Sequence, residues 1–114
     1  MKIAFDVQGT LVGHKGEILF QLLEDFKNQG HDVFIWSHSR DMAEDVAKKI
    51  GVSDEMCKTK KLRFEYHLDH EIMDIAIDDD PKQKLLVNKI YLVGQLPDTY
   101  SELKQFFIAE KILR

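Results

Sequence analysis

Aspartate at the end of an apolar run, followed at once by a glycine turn, is the arrangement in this chain best suited to chemistry. The run Ile3-Ala4-Phe5 leads directly into Asp6-Val7-Gln8-Gly9-Thr10-Leu11. A carboxylate so placed, at the carboxyl end of a buried strand, sits where open α/β sheets bind ligands. It is a candidate nucleophile. Two further apolar runs end in polar residues. Val33-Phe34-Ile35-Trp36 ends at Ser37, and Met73 to Ile77 ends in Asp78-Asp79-Asp80. In a parallel sheet such ends share one edge, so Asp6, Ser37, Asp78 and Asp79 can converge on one pocket. One or two carboxylates with phosphate oxygens suit a hard cation that keeps several waters, and backbone N–H groups in the Val7–Thr10 turn can cradle an anion.

In order and in type, these residues resemble the motifs of the haloacid dehalogenase-like (HAD) phosphohydrolases. The resemblance runs from the Asp6 motif, through a strand ending in Ser37 and a following lysine, to the Asp78-Asp79 pair, and so covers nearly the whole chain. It implies that Asp6 attacks phosphorus to form an aspartyl-phosphate. Magnesium would be held by Asp6, the backbone carbonyl of Gln8 and Asp78, with Asp79 in support, while Ser37 hydrogen-bonds a phosphoryl oxygen. The lysine falls among Lys58, Lys60 and Lys61, of which Lys60 is favoured; it would neutralise the phosphate and keep Asp6 ionised.

The chain departs from the family pattern at Gln8, where the phosphatases carry a second aspartate that protonates the leaving oxygen and later activates water. An amide has no titratable proton near neutral pH and does neither. The expectation is a magnesium-dependent phosphate-ester hydrolase of reduced activity. The rival is a catalytically inactive HAD-like domain that binds magnesium and a phosphorylated ligand or a protein partner. A receiver-like regulatory domain also uses a strand-end aspartate with magnesium, but carries its phospho-acceptor on a later strand. The short stretch Val12 to Glu17, and the little room from Gly51 to Lys60, match capless members of the family. Their open sites go with large phosphorylated substrates or with an oligomer whose neighbour supplies the lid.

Positioning these residues requires alternating strands and helices. Lys2–Asp6 reads as a strand, and Glu17–Gln29 as a helix with Ile18, Leu19, Leu22, Leu23 and Phe26 on one face, ended by Gly30. Asp32–Ser37 is a second strand. A helix follows with Met42, Ala43, Val46, Ala47 and Ile50 on one face, capped by Ser39 or Asp41 and stopped by Gly51. A short strand near Met56, a helix from Lys61, and strands Met73–Ile77 and Ile90–Val93 come next. Thr99-Tyr100-Ser101-Glu102 has capping-box spacing ahead of a last helix bearing Leu103, Phe106, Phe107 and Ile112. The expected fold is a three-layer α/β sandwich with a mostly parallel, Rossmann-like sheet and no cap, forming one domain over residues 1–114.

A chain of 114 residues with formal net charge −4 lacks a general electrostatic grip on nucleic acid. The stretch before Asp6 is too short for a signal or a membrane span, and a cytosolic protein is expected. The single cysteine, Cys57, excludes an internal disulfide and reads as a small apolar side chain. Other residues with chemical potential have bland counterparts. His67 and His70, with Asp69 and Glu71, have metal-ligand spacing but suit a solvated helix face. His14 and His38 follow site-forming strands and are candidate surrogate acids, or exposed loop histidines. Lys58, Lys60, Lys61 and Arg63 form a basic cluster or a solvated surface, and Phe34 and Trp36 read as strand core. Phe106, Phe107 and Ile108 could form the apolar edge of a homodimer or pack on the sheet.

Overall fold

The computed structural model describes residues 1–37, 39–59, 72–80 and 87–114. These contain five strands: β1 (Lys2–Asp6), β2 (Asp32–Ser37), β3 (Cys57–Thr59), β4 (Met73–Asp78) and β5 (Val87–Leu92). They also contain three α-helices: α1 (Gly16–Asn28), α2 (Arg40–Ile50) and α3 (Tyr100–Ala109). The strands form one sheet in the order β3-β2-β1-β4-β5, and every neighbouring pair is parallel. The chain moves outward from β1 through β2 to β3, then crosses to the other side for β4 and β5. Its direction reverses between β1 and β4, where such sheets open a crevice for ligands.

Local chemistry explains the elements. In α1, Leu19, Leu22, Leu23 and Phe26 follow helical spacing and are fully buried; each such side chain contributes roughly 1.5–3 kcal/mol on leaving water. Gly30 takes a left-handed φ of 91° and ends the helix, with the His31 N–H bonding the Phe26 carbonyl and the Gly30 N–H that of Lys27. Of the two cap candidates for α2, Ser39 takes the role, its hydroxyl accepting from the Met42 N–H, and Gly51 closes the helix at φ 76°. Thr99 caps α3 by accepting from the Glu102 N–H, as the capping-box spacing predicts.

Two boundaries differ from expectation by more than one residue. The expected strand Ile90–Val93 starts earlier, at Val87, because on this edge strand Asn88 and Lys89 face solvent and hide the strand from a search for apolar runs; Val93 instead opens a 3₁₀ turn, Val93–Gln95. Ile112 lies beyond α3 rather than on it. Lys111 adopts φ 62°, and the Ile112 and Leu113 N–H groups fold back on the Phe107 carbonyl, so both side chains still reach the core.

The buried side chains of all three helices join one apolar cluster with Ile3, Phe5, Val33, Ile35, Ile75 and Ile77. Phe26 meets Phe107 edge-on, with centroids 5.4 Å apart, and Tyr91 packs against Phe106 and Phe107. Phe106 and Ile108 pack against this cluster, which accounts for the apolar edge of the last helix. A second cluster contains Ala4, Trp36, Met73, Ala76 and Val87, with Phe34 and Ile90 against it, making Phe34 and Trp36 core residues. The helix expected from Lys61 lies outside the described residues. Cys57 is buried. Among the described residues no helix is long and apolar enough to cross a membrane.

Helices α1 and α3 are also joined by a polar contact, in which the Tyr100 hydroxyl donates to the Asp25 carboxylate. That bond, with some burial, pushes the phenol up to about 12 from its ordinary value near 10. The folded chain therefore holds this proton more tightly than the unfolded chain. Its contribution is complete below pH 10 and disappears as pH rises through 12. Discounted for solvent screening, the loss is about 1 kcal/mol. Urea titrations between pH 9 and 12 should show it in the native chain and not in Tyr100→Phe.

Candidate functional site

Strand register assembles the site. Phe5 pairs with Ile77 across β1 and β4, so the next residues, Asp6 and Asp78, leave adjacent strands at the same level. On the other side Asp6 pairs with Trp36, which places Ser37 one step further along β2. Both Asp6 and Asp78 are buried, while Asp79 is exposed. Oxygens of the three carboxylates lie within 4.8 Å of one another, and among the described residues no other group of three or more acidic, histidine or cysteine side chains is gathered closely enough to share a metal. Carboxylate oxygens gathered this closely are the ligands that a hard divalent cation takes. The donor set therefore fits magnesium.

The turn after β1 holds this grouping in shape. The Leu11 N–H bonds the Asp6 carbonyl (3.2 Å), the Val12 N–H bonds that of Val7 (2.8 Å), and the Gly9 N–H bonds that of Val12 (2.9 Å). Thr10, fully buried, lies with its hydroxyl 3.5 Å from the Asp6 carboxylate. Gly9 has φ 75°, and a Cβ built there would stand 2.1 Å from Asp79 Oδ2. Backbone shape and space thus both require glycine. Gly9→Ala is expected to cost about 1–2 kcal/mol in stability and, by displacing Asp79, to weaken magnesium binding roughly tenfold; thermal melts and a magnesium titration measure the two effects separately.

Ser37 is buried, and its oxygen accepts from the Ser39 N–H at 3.2 Å. Asp78 Oδ1 accepts from the Asp80 N–H at 3.1 Å, which orders the acidic run. Because α1 and α2 each follow a parallel strand, both start at this same edge, and their N-terminal N–H groups favour an anion there. Gln8 is exposed and, with Val12, Met42 and Lys49, lines a shallow cavity of about 190 Å³. His14 is an exposed loop histidine. Of the lysine candidates, Lys58 lies in β3 with its ammonium 5.4 Å from the centre of the Phe34 ring. Lys60, Lys61, Arg63, His38, and the group His67, Asp69, His70 and Glu71 lie outside the described residues.

One lysine escaped the sequence reading. Lys15, just before α1, is 6% exposed, and its ammonium donates to the carbonyls of Val93 (2.9 Å) and Leu96 (2.6 Å) and stands 3.2 Å from Asp98 Oδ1. A lone lysine in a polar loop carries no periodic signal, so nothing in the pattern marked it.

Compared with models of known protein families, with curated proteins and with solved structures, the chain matches none.

Proposed function

We propose that this chain is a magnesium-dependent phosphohydrolase of the HAD-like type, working through Asp6 and slowed by Gln8. The observation that carries this reading is the meeting of Asp6, Asp78 and Asp79 within 4.8 Å beside a glycine turn, between β1 and β4, where the order of strands reverses. The Asp6 carboxylate attacks phosphorus, the bond to the ester oxygen breaks, and the phosphoryl group passes to Asp6. The leaving oxygen keeps the electron pair and takes its proton from solvent, because Gln8 has none to give. Water then attacks the aspartyl-phosphate, releasing inorganic phosphate and restoring the carboxylate. Asp6, Asp78 and the Gln8 carbonyl, with Asp79 in support, would hold magnesium, which would supply positive charge against the phosphoryl oxygens. Ser37 donates its hydroxyl to one of those oxygens, and the lysine of the pattern is assigned to Lys60.

The segment from Val7 to Lys15 is taken up by turns, which supports an open site and a large phosphorylated substrate. The exposed amide of Gln8 favours a second reading, in which magnesium and a phosphorylated ligand are held without turnover. Hydrolysis of 4-nitrophenyl phosphate with magnesium, and after chelation with EDTA, separates the two. Magnesium-dependent release of nitrophenol is expected. Magnesium binding without release would select the second reading, and absence of binding would remove both.

A further inference from the structure

Lys15 takes no part in the chemistry above, yet its burial demands a reason. An ammonium taken from water costs several kcal/mol unless its donors are satisfied. It has three N–H donors, and Val93, Leu96 and Asp98 offer one acceptor each. The Asp98 side chain is 87% exposed, so the two carbonyls carry most of the contact. They lie 78 and 81 residues further along the chain, at the end of β5. Lys15 thus fastens the segment between β1 and α1 to the far side of the sheet.

That segment is folded tightly upon itself. A Cβ on Gly16 would stand 2.2 Å from the Leu11 carbonyl oxygen, and one on Gly13 would stand 3.0 Å from the Gly9 carbonyl carbon. Close backbone approaches therefore connect the base of the loop, beside Lys15, to Gly9, which abuts Asp79. We propose that Lys15 is a positioning residue, whose anchorage at the end of β5 holds the Asp6–Val12 turn where Asp6, Asp78 and Asp79 meet. Its effect on metal and catalysis rests on the functional reading above; its effect on the turn does not.

The test compares the native chain with Lys15→Met and Lys15→Arg, and uses Tyr100→Phe as a control destabilised at the α1–α3 seam. Amide exchange at Gly9 and Val12 is followed without metal, and magnesium affinity, kcat and KM are then measured. In Lys15→Met, exchange at both amides should rise roughly tenfold while the β1 amides keep their protection. Magnesium affinity should fall roughly tenfold, with kcat more affected than KM. Lys15→Arg, which restores the cation, should recover much of both, and Tyr100→Phe should change neither. Unchanged protection at Gly9 and Val12 in Lys15→Met, with only thermal stability lost, would overturn the proposal and leave a simple anchor for residues 93–98. A native chain that neither binds magnesium nor hydrolyses ester would remove the functional reading, and the exchange data would still decide the positioning role. Should Lys15→Met fail to fold, Lys15→Gln, which keeps two donors, replaces it in the same comparison.

Discussion

Asp6→Asn should fold as the native chain does and lose magnesium-dependent ester hydrolysis by roughly 10³-fold or more. Asparagine has nearly the shape of aspartate, and its amide oxygen can still face the Thr10 hydroxyl, now 3.5 Å from the Asp6 carboxylate. On the proposed mechanism, what disappears is a negatively charged oxygen able to attack phosphorus and one of the carboxylates that would hold the cation. The second loss has its own readout. A ligand at a hundred times its Kd stabilises the state that binds it by about 2.7 kcal/mol. Saturating magnesium should therefore raise the melting temperature of the native chain and raise that of Asp6→Asn much less. A variant that lost hydrolysis but kept the full magnesium-dependent shift would confine Asp6 to nucleophilic attack. One that kept hydrolysis would move the nucleophile elsewhere and end the proposed mechanism.

The strands that build this site were legible because they are buried on both faces. Ile3-Ala4-Phe5, Val33 to Trp36 and Ile75-Ala76-Ile77 are continuous apolar runs, and each stops at the polar residue that enters the site. The helices were legible from their apolar stripes and from chemically specific ends: Ser39 and Thr99 cap with their hydroxyls, and Gly30 and Gly51 take the positive φ that the lack of a Cβ permits. Edge and end effects were not. β5 hides its first half behind Asn88 and Lys89, and Lys111 takes a left-handed conformation with no glycine to announce it. Such features depend on what lies beside the chain in space, which local pattern does not encode.

The site divides along the same line. Asp6, Ser37, Asp78 and Asp79 stand at strand ends, so reading the strands placed them on one edge, and the parallel register then set Asp6 beside Asp78. The contribution of Gly9 was legible as a turn, but its closeness to Asp79 was not, since the two are brought together by the crossover from β3 to β4. Lys15 owes its burial to two carbonyls at the far end of the chain, and no spacing rule reaches that far.

Gln8→Asp should raise kcat, by an amount set by the leaving group. General acid–base assistance supplies roughly 10²- to 10⁴-fold. An alkyl phosphate, whose alkoxide leaves poorly without a proton, should gain near the upper end, and 4-nitrophenyl phosphate should gain least because nitrophenolate leaves readily. In the native chain the rate should consequently fall steeply as the leaving-group pKa rises, and in Gln8→Asp that dependence should flatten. Gln8 is exposed, and its bridge to Val12 is made by backbone, so the substitution leaves the turn intact. Gln8→Asn shortens the side chain without supplying a proton and should gain nothing, which isolates proton transfer from size. Gln8→Glu adds the carboxylate at the native length, so any shortfall against Gln8→Asp measures how closely the acid must approach the ester oxygen. Equal slopes against leaving-group pKa in native and Gln8→Asp chains would mean that proton transfer at position 8 does not limit turnover. Turnover confined to Gln8→Asp would make the native chain a domain that holds its phosphorylated ligand, with one amide keeping it from hydrolysis.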